Sequence, residues 1–173
     1  RAKYTVPFIG IEPAIKPAAT NSKTQTIGIL ATKGTLNSEL FHKATEMYQD
    51  TRIIEQVGHG LVQLIEGGQI NSIEMEQLLH SYLQPMIEAN IDYLVLGCSH
   101  YPYLIPQIKK MLPDHIQIID SGQAVARQTQ KILQEKVGVS NIKNPKPVFY
   151  SNTDTSVLKA ILKNKYTSEQ INF

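Results

Sequence analysis

Leu94-Val95-Leu96-Gly97-Cys98-Ser99-His100-Tyr101-Pro102 decides how the rest of the chain is read. A short apolar run stops at a glycine. The chain's only cysteine, a hydroxyl and an imidazole follow in immediate succession, then a tyrosine and a proline suited to the first turn of a helix. Open α/β sheets place their sites where a buried strand ends. On position alone, Cys98 reads as a small buried hydrophobe. Gly97, the polar pair Ser99 and His100, and the helix start at Pro102 point instead to a thiol held beside an amide end, which favours the thiolate. In an extended turn, the spacing of two would put Cys98 and His100 on one face.

Outward from this stretch, short apolar runs alternate with helical patterns. Thr26 to Ala31, Arg52 to Val57, Tyr93 to Gly97, Ile116 to Ile119 and Val148 to Tyr150 read as strands. Val6 to Ile11 is a further apolar run, a strand ended by Glu12-Pro13. Helical spacing follows at Leu40, Phe41, Ala44, Met47 and Tyr48, and again from Asn71-Ser72, where Leu78, Leu79, Tyr82, Leu83, Met86 and Ile87 form a stripe. Pro85 inside that stripe predicts a kink or a break. Leu61 to Glu66 reads as a short helix, Tyr103 to Met111 as another, and helices run from Gly122 to about Glu135 and from Thr155 to Leu162. Pro17 to Ser22 reads as loop, Val137 to Pro147 as a linker clearest at Asn144 to Pro147, and the end as a polar tail. The strands are continuous apolar runs, as in strands covered on both faces. The fold class is α/β with a mainly parallel sheet flanked by helices.

Composition narrows the function. The 173 residues carry a formal net charge of +2, with 42% hydrophobic and 18% charged residues. Lysines and arginines form no stripe, so nucleic acid is not the expected partner. No apolar run reaches a membrane helix, and no signal peptide is visible. A single cysteine excludes an internal disulfide and suits a reducing cytoplasm. No Cys/His cluster has metal-ligand spacing, so no metal site is expected, and no glycine-rich phosphate loop occurs. Glu66 stands at a helix end before Gly67-Gly68, and Thr32 and Thr35 flank a turn at another strand end. Asp120-Ser121-Gly122 is most simply a helix cap. His42, His59, His80 and His115 read as loop or surface positions.

Gly97-Cys98-Ser99-His100-Tyr101-Pro102 resembles the second cysteine motif of bacterial glutamate racemases, commonly Gly-Cys-Thr-His-Tyr-Pro; Ser99 keeps the hydroxyl. The resemblance extends to Ile9–Ala18, Leu30–Thr35, Leu61–Gly68 (where Gln63 replaces a proline) and Ile118–Gly122. Aspartate racemases typically carry glutamate where His100 stands. The resemblance implies a cofactor-independent racemase that interconverts L- and D-glutamate, the D-enantiomer serving peptidoglycan and cell-wall biogenesis. The resemblance implies that Cys98 is one of two cysteine acid/base groups, assisted by His100 and by Glu66 as auxiliary carboxylate, and that Ser99, His100, Thr32 and Thr35 contact the substrate. The family has two α/β lobes, so residues 1–121 are expected to form the second lobe and 122–173 to return to the first. The family's Cys-Asn-Thr and early Asp-Ser-Gly motifs do not occur, so the chain reads as a C-terminal part, inactive alone. A homodimer is a family expectation. Two other readings remain open: a thiol-nucleophile enzyme with His100 as base, and a binding module of the same fold without catalysis.

Overall fold

Strand β1 (Thr26–Ala31) is buried at every residue, which only a central strand covered on both faces can be. It pairs in parallel with β2 (Arg52–Val57) on one side and β3 (Tyr93–Gly97) on the other, and β4 (Gln117–Asp120) follows β3, also parallel. The sheet order is β2-β1-β3-β4. This computed structural model describes residues 4–138 and 146–172. The linker expected through Asn144 and Pro145 falls outside the described residues. The α/β class with a parallel, helix-flanked sheet is found as expected.

The strand order reverses direction at β1. The chain steps from β1 outward to β2, then crosses back over β1 to reach β3. With a fixed crossover hand, that reversal sends the connecting helices to opposite faces. Two separate cores record it. On one face α1 (Ile15–Asn21) and α3 (Glu39–Glu46) cover Ile27, Ile29 and Val95 with Ile15, Ala18 and Phe41. On the other, α4 (Leu61–Glu66), α5 (Ile73–Glu88) and α6 (Ile105–Met111) bury Leu61, Leu79, Leu83, Met86 and Ile108 against Leu30, Leu94 and Leu96.

Local chemistry explains the element ends. Ser38 and Ser72 accept from the amides of Phe41 and Met75 and so cap α3 and α5. α5 runs on through Pro85, so of the expected kink or break the break does not occur. Pro85 and Ser81, whose carbonyl loses its partner, are both exposed, so the unbonded carbonyl lies on the solvent side of the helix. α1 replaces the expected loop at Pro17 to Ser22: Pro17 lies in its first turn, where a missing amide costs no helix bond, and Ile15 and Ala18 are buried one turn apart.

Three further expectations are corrected. Residues 4–14 form no strand; Val6, Phe8 and Ile11 are exposed there, and Pro7 removes a donor. The turn after β1 is a single helical turn, α2 (Lys33–Leu36). The polar tail contains a strand, β6 (Thr167–Gln170), parallel to β5 (Val148–Ser151), with α8 (Ser156–Ile161) between them. α7 (Gly122–Ile132) leaves the end of β4 and buries none of its side chains.

Candidate active site

The reversal between β1 and β3 leaves a crevice at their carboxyl ends, the place where doubly wound sheets bind ligands. A cavity of about 480 Å³ opens there. Thr32 and Thr35 come to it from the end of β1, Gly97, Cys98 and Ser99 from the end of β3, and Asp120, Ser121 and Gly122 from the end of β4, with Ile11, Glu12 and Pro13 completing the wall.

Gly97 decides how closely these ends approach. It stands opposite Ala31 in the ladder, and a Cβ on it would lie 2.7 Å from the Ala31 Cβ and 3.6 Å from the Thr35 methyl. Its missing side chain makes room for the β1 end. Thr32 caps α2, accepting from the Thr35 amide at 3.2 Å, and the two hydroxyls lie 3.0 Å apart. They present a paired hydroxyl edge to the cavity.

Cys98 is half-buried and followed by a tight turn instead of an extended one. The Tyr101 amide donates to the Cys98 carbonyl at 3.2 Å. That turn still brings the Cys98 Sγ to 3.8 Å from the His100 Nδ1. His100 Nε2 in turn lies 3.0 Å from the Glu66 Oε1, from the last residue of α4. Cys98, His100 and Glu66 thus form a chain of three groups leading away from the cavity. The carboxylate favours a proton on Nε2, which leaves Nδ1 free to accept from the thiol. The helix following the cysteine begins as a four-residue 3₁₀ turn, Tyr101–Leu104, with Pro102 at its start.

Tyr101 anchors the assembly. It is fully buried and donates its phenol to the Gly58 carbonyl at 3.1 Å, at the β2–α4 junction. A side chain on Gly58 would run into that phenol. Burial, with Cys98 nearby adding to it, pushes the Tyr101 phenol well above the ordinary tyrosine range, so it remains a donor. The same bond holds α4 close enough for Glu66 to meet His100.

Of the residues singled out in the sequence, Cys98, Ser99, Thr32 and Thr35 line the cavity. His100 and Glu66 stand outside the lining, behind the thiol. His42, His59, His80 and His115 are exposed. The sequence reading missed the wall made by Ile11, Glu12 and Pro13, and took Asp120-Ser121-Gly122 for a cap. The signal available for the latter was its position at the end of a parallel strand. Among the described residues no group of three or more His, Cys, Asp or Glu is placed to hold a metal ion, and no helix is long and apolar enough to cross a membrane.

Comparison with known proteins places the chain in a family. Residues 1–129 match the Asp/Glu/Hydantoin racemase family model. The glutamate racemase of Pseudomonas entomophila is 41% identical over 157 residues, covering 90% of this chain and 59% of that protein. That of Ralstonia pickettii is 42% identical over 163 residues, covering 94% and 58%. The chain therefore spans about three-fifths of the length of these curated relatives. Among solved structures, Escherichia coli glutamate racemase in complex with L-glutamate and the activator UDP-MurNAc-Ala superimposes with a TM-score of 0.82 at 27% identity, over 99% of this chain and 67% of that one. The RacE1 isoform of glutamate racemase from Bacillus anthracis gives 0.79 at 28% identity, with the same coverage.

Proposed function

The chain belongs to the Asp/Glu/Hydantoin racemase family, and from that premise we propose that it is the Cys98-bearing part of a glutamate racemase. Inversion at the α-carbon requires a base on one face and an acid on the other. The Cys98 thiolate removes the α-hydrogen as a proton, and the electron pair left on carbon spreads into the adjacent carboxylate. An acid on the opposite face returns a proton, and in the reverse direction the roles exchange. His100 takes the thiol proton at Nδ1, and Glu66 stabilises the imidazolium that results. Ser99, Thr32 and Thr35 supply the hydroxyl contacts that orient the substrate. The proposal takes the reaction to be cofactor-independent, as the resemblance to glutamate racemases implies.

The observation that carries this reading is the thiol at the switch-point cavity, backed by an imidazole at 3.8 Å and a carboxylate 3.0 Å beyond it. With one cysteine in the chain, the opposite acid comes from polypeptide outside it, so this chain alone is inactive. Residues 1–121 form the second, cysteine-bearing lobe, and 122–173 return to the first. The division is supported by α7, which buries nothing, and by exposed Val148, Tyr150 and Tyr166 around a two-stranded parallel sheet that needs cover. A homodimer, a cytoplasmic location and supply of D-glutamate to peptidoglycan belong to the same proposal.

The test is racemisation and α-deuterium uptake by glutamate in D₂O, using a polypeptide that joins this chain to the upstream length its relatives possess. Cys98→Ala should reduce the rate by several orders of magnitude. Parental racemisation by that variant would remove Cys98 from the mechanism. One observation favours a second reading: Cys98, His100 and Glu66 stand in the order of a thiol nucleophile, its base and an orienting acid. Covalent labelling of Cys98 by an acyl substrate, without α-deuterium uptake, would select it.

A further inference from the structure

Ser121 occupies the N-cap position of α7, where a serine ordinarily accepts from an amide of the first helical turn. It makes no such bond. Asp120 takes over near the helix start, its Oδ1 accepting from the Gly122 amide at 2.6 Å. The Ser121 hydroxyl instead donates to the main-chain carbonyl of Glu12, across 109 residues of sequence. Ser121 is 8% exposed, so this hydroxyl is withdrawn from water and committed to that partner.

The acceptor lies in a segment that little else fixes. Residues 4–14 form no helix or strand, and Val6, Phe8 and Ile11 turn their side chains to solvent. Yet Ile11, Glu12 and Pro13 make one wall of the Cys98 cavity, and Ser121 belongs to the β4 end of the same cavity. We infer that Ser121 is a positioning residue: its hydroxyl latches the Glu12 main chain to the end of β4 and thereby sets the opening of the cavity over Cys98. The serine forgoes a helix cap to do so. The inference concerns the cavity's shape and holds whichever reaction the cavity serves.

The test uses the whole chain and reads the rate at which iodoacetamide alkylates Cys98, followed by intact mass. Ser121→Val and Ser121→Thr are nearly isosteric and differ in the hydroxyl. The valine variant should react about fivefold faster than the parent, the factor that corresponds to one hydrogen bond of about 1 kcal/mol. The threonine variant should stay within a factor of two of the parent, about the scatter expected without a lost bond. Ser72→Ala, which removes the α5 cap away from the cavity lining, controls for general loosening and should leave the rate at the parental value. Equal rates for the valine and threonine variants would overturn the latch. So would a Ser72→Ala rate as high as that of Ser121→Val, because access would then follow overall stability. A failure of the racemase assignment would leave these rates unaffected.

Discussion

Replacing Asp92 with asparagine should destabilise the protein at neutral pH and lose that effect in acid. Asp92 lies just before β3, at the end of the sheet away from the cavity. Its Oδ1 accepts from the Ser22 hydroxyl at 2.6 Å, and its Oδ2 from the Lys23 and Thr24 amides at 2.5 and 3.1 Å. Its own amide and carbonyl bond to Thr26 and Gln117, the first residues of β1 and β4. Asp92 thus ties the loop entering β1, through its carboxylate, to the starts of three strands, which its main chain joins. Burial alone would push this carboxyl up, but the bonds from Ser22, Lys23 and Thr24 outweigh it and hold its pKa below the ordinary value. A hydrogen bond to a charged group contributes about 1.5–3 kcal/mol, and the three here do not add, because water replaces part of what the exposed Lys23 loses. Asparagine can still accept at one oxygen, so the expected loss is about 1.5–2 kcal/mol at pH 7, roughly one charge-assisted bond.

The sign of the pH dependence follows from linkage. A carboxyl with a depressed folded pKa contributes stability that is complete above its unfolded value of about 3.9 and is lost as pH falls through the folded value. The gap between parent and Asp92→Asn, measured by urea unfolding, should therefore be constant from pH 7 to about 5 and narrow below about 4. A gap that stayed constant to pH 3, or widened there, would refute the assignment of that stability to the ionised carboxylate.

Two further substitutions test the packing around the site. Gly97→Ala puts a methyl group 2.7 Å from the Ala31 Cβ; it should cost about 1–3 kcal/mol in urea unfolding, the range for overpacking a filled core, and change the rate at which Cys98 is alkylated. Tyr101→Phe removes the donor to the buried Gly58 carbonyl and should cost about 1–2 kcal/mol; because that bond holds α4 near the Cys98 turn, nuclear magnetic resonance should show the His100 ring signals shifting in this variant.

What the sequence made legible follows the physics of burial. β1, β2, β3, α4 and α5 were readable because each carries enough apolar residues at its own period to be recognised without its partners. Ser99, Thr32 and Thr35 became candidates through the family resemblance, since their own places after strand ends mark only turn and cap residues. β6 was not, since Thr167-Ser168-Glu169-Gln170 is polar throughout and becomes a strand only by pairing with β5. Val6 to Ile11 erred in the opposite direction: the run is apolar enough for a strand, but residues 4–14 pair with none. Ser121 looked like a cap because capping is a local bond, whereas its actual partner lies 109 residues away. Contacts of that span leave no periodic trace.

The standing of Cys98 turns on the same distinction between local and distant information. Locally, a cysteine after Leu-Val-Leu-Gly reads more readily as packed than as reactive. What the structure adds is the order β2-β1-β3-β4. Had β3 followed β2 at the outer edge, no reversal would open a crevice beside Gly97, and Glu66 on α4 would approach from another side. Because the chain crosses back over β1, the helices divide between the faces and the ends of β1 and β3 part. The α4–α5 crossover then delivers Glu66 to His100, which already lies behind the thiol. The three groups come from two elements 34 residues apart in sequence, and only the direction of one crossover brings them into line. The alignment of Cys98, His100 and Glu66 is therefore a property of the topology as much as of the motif.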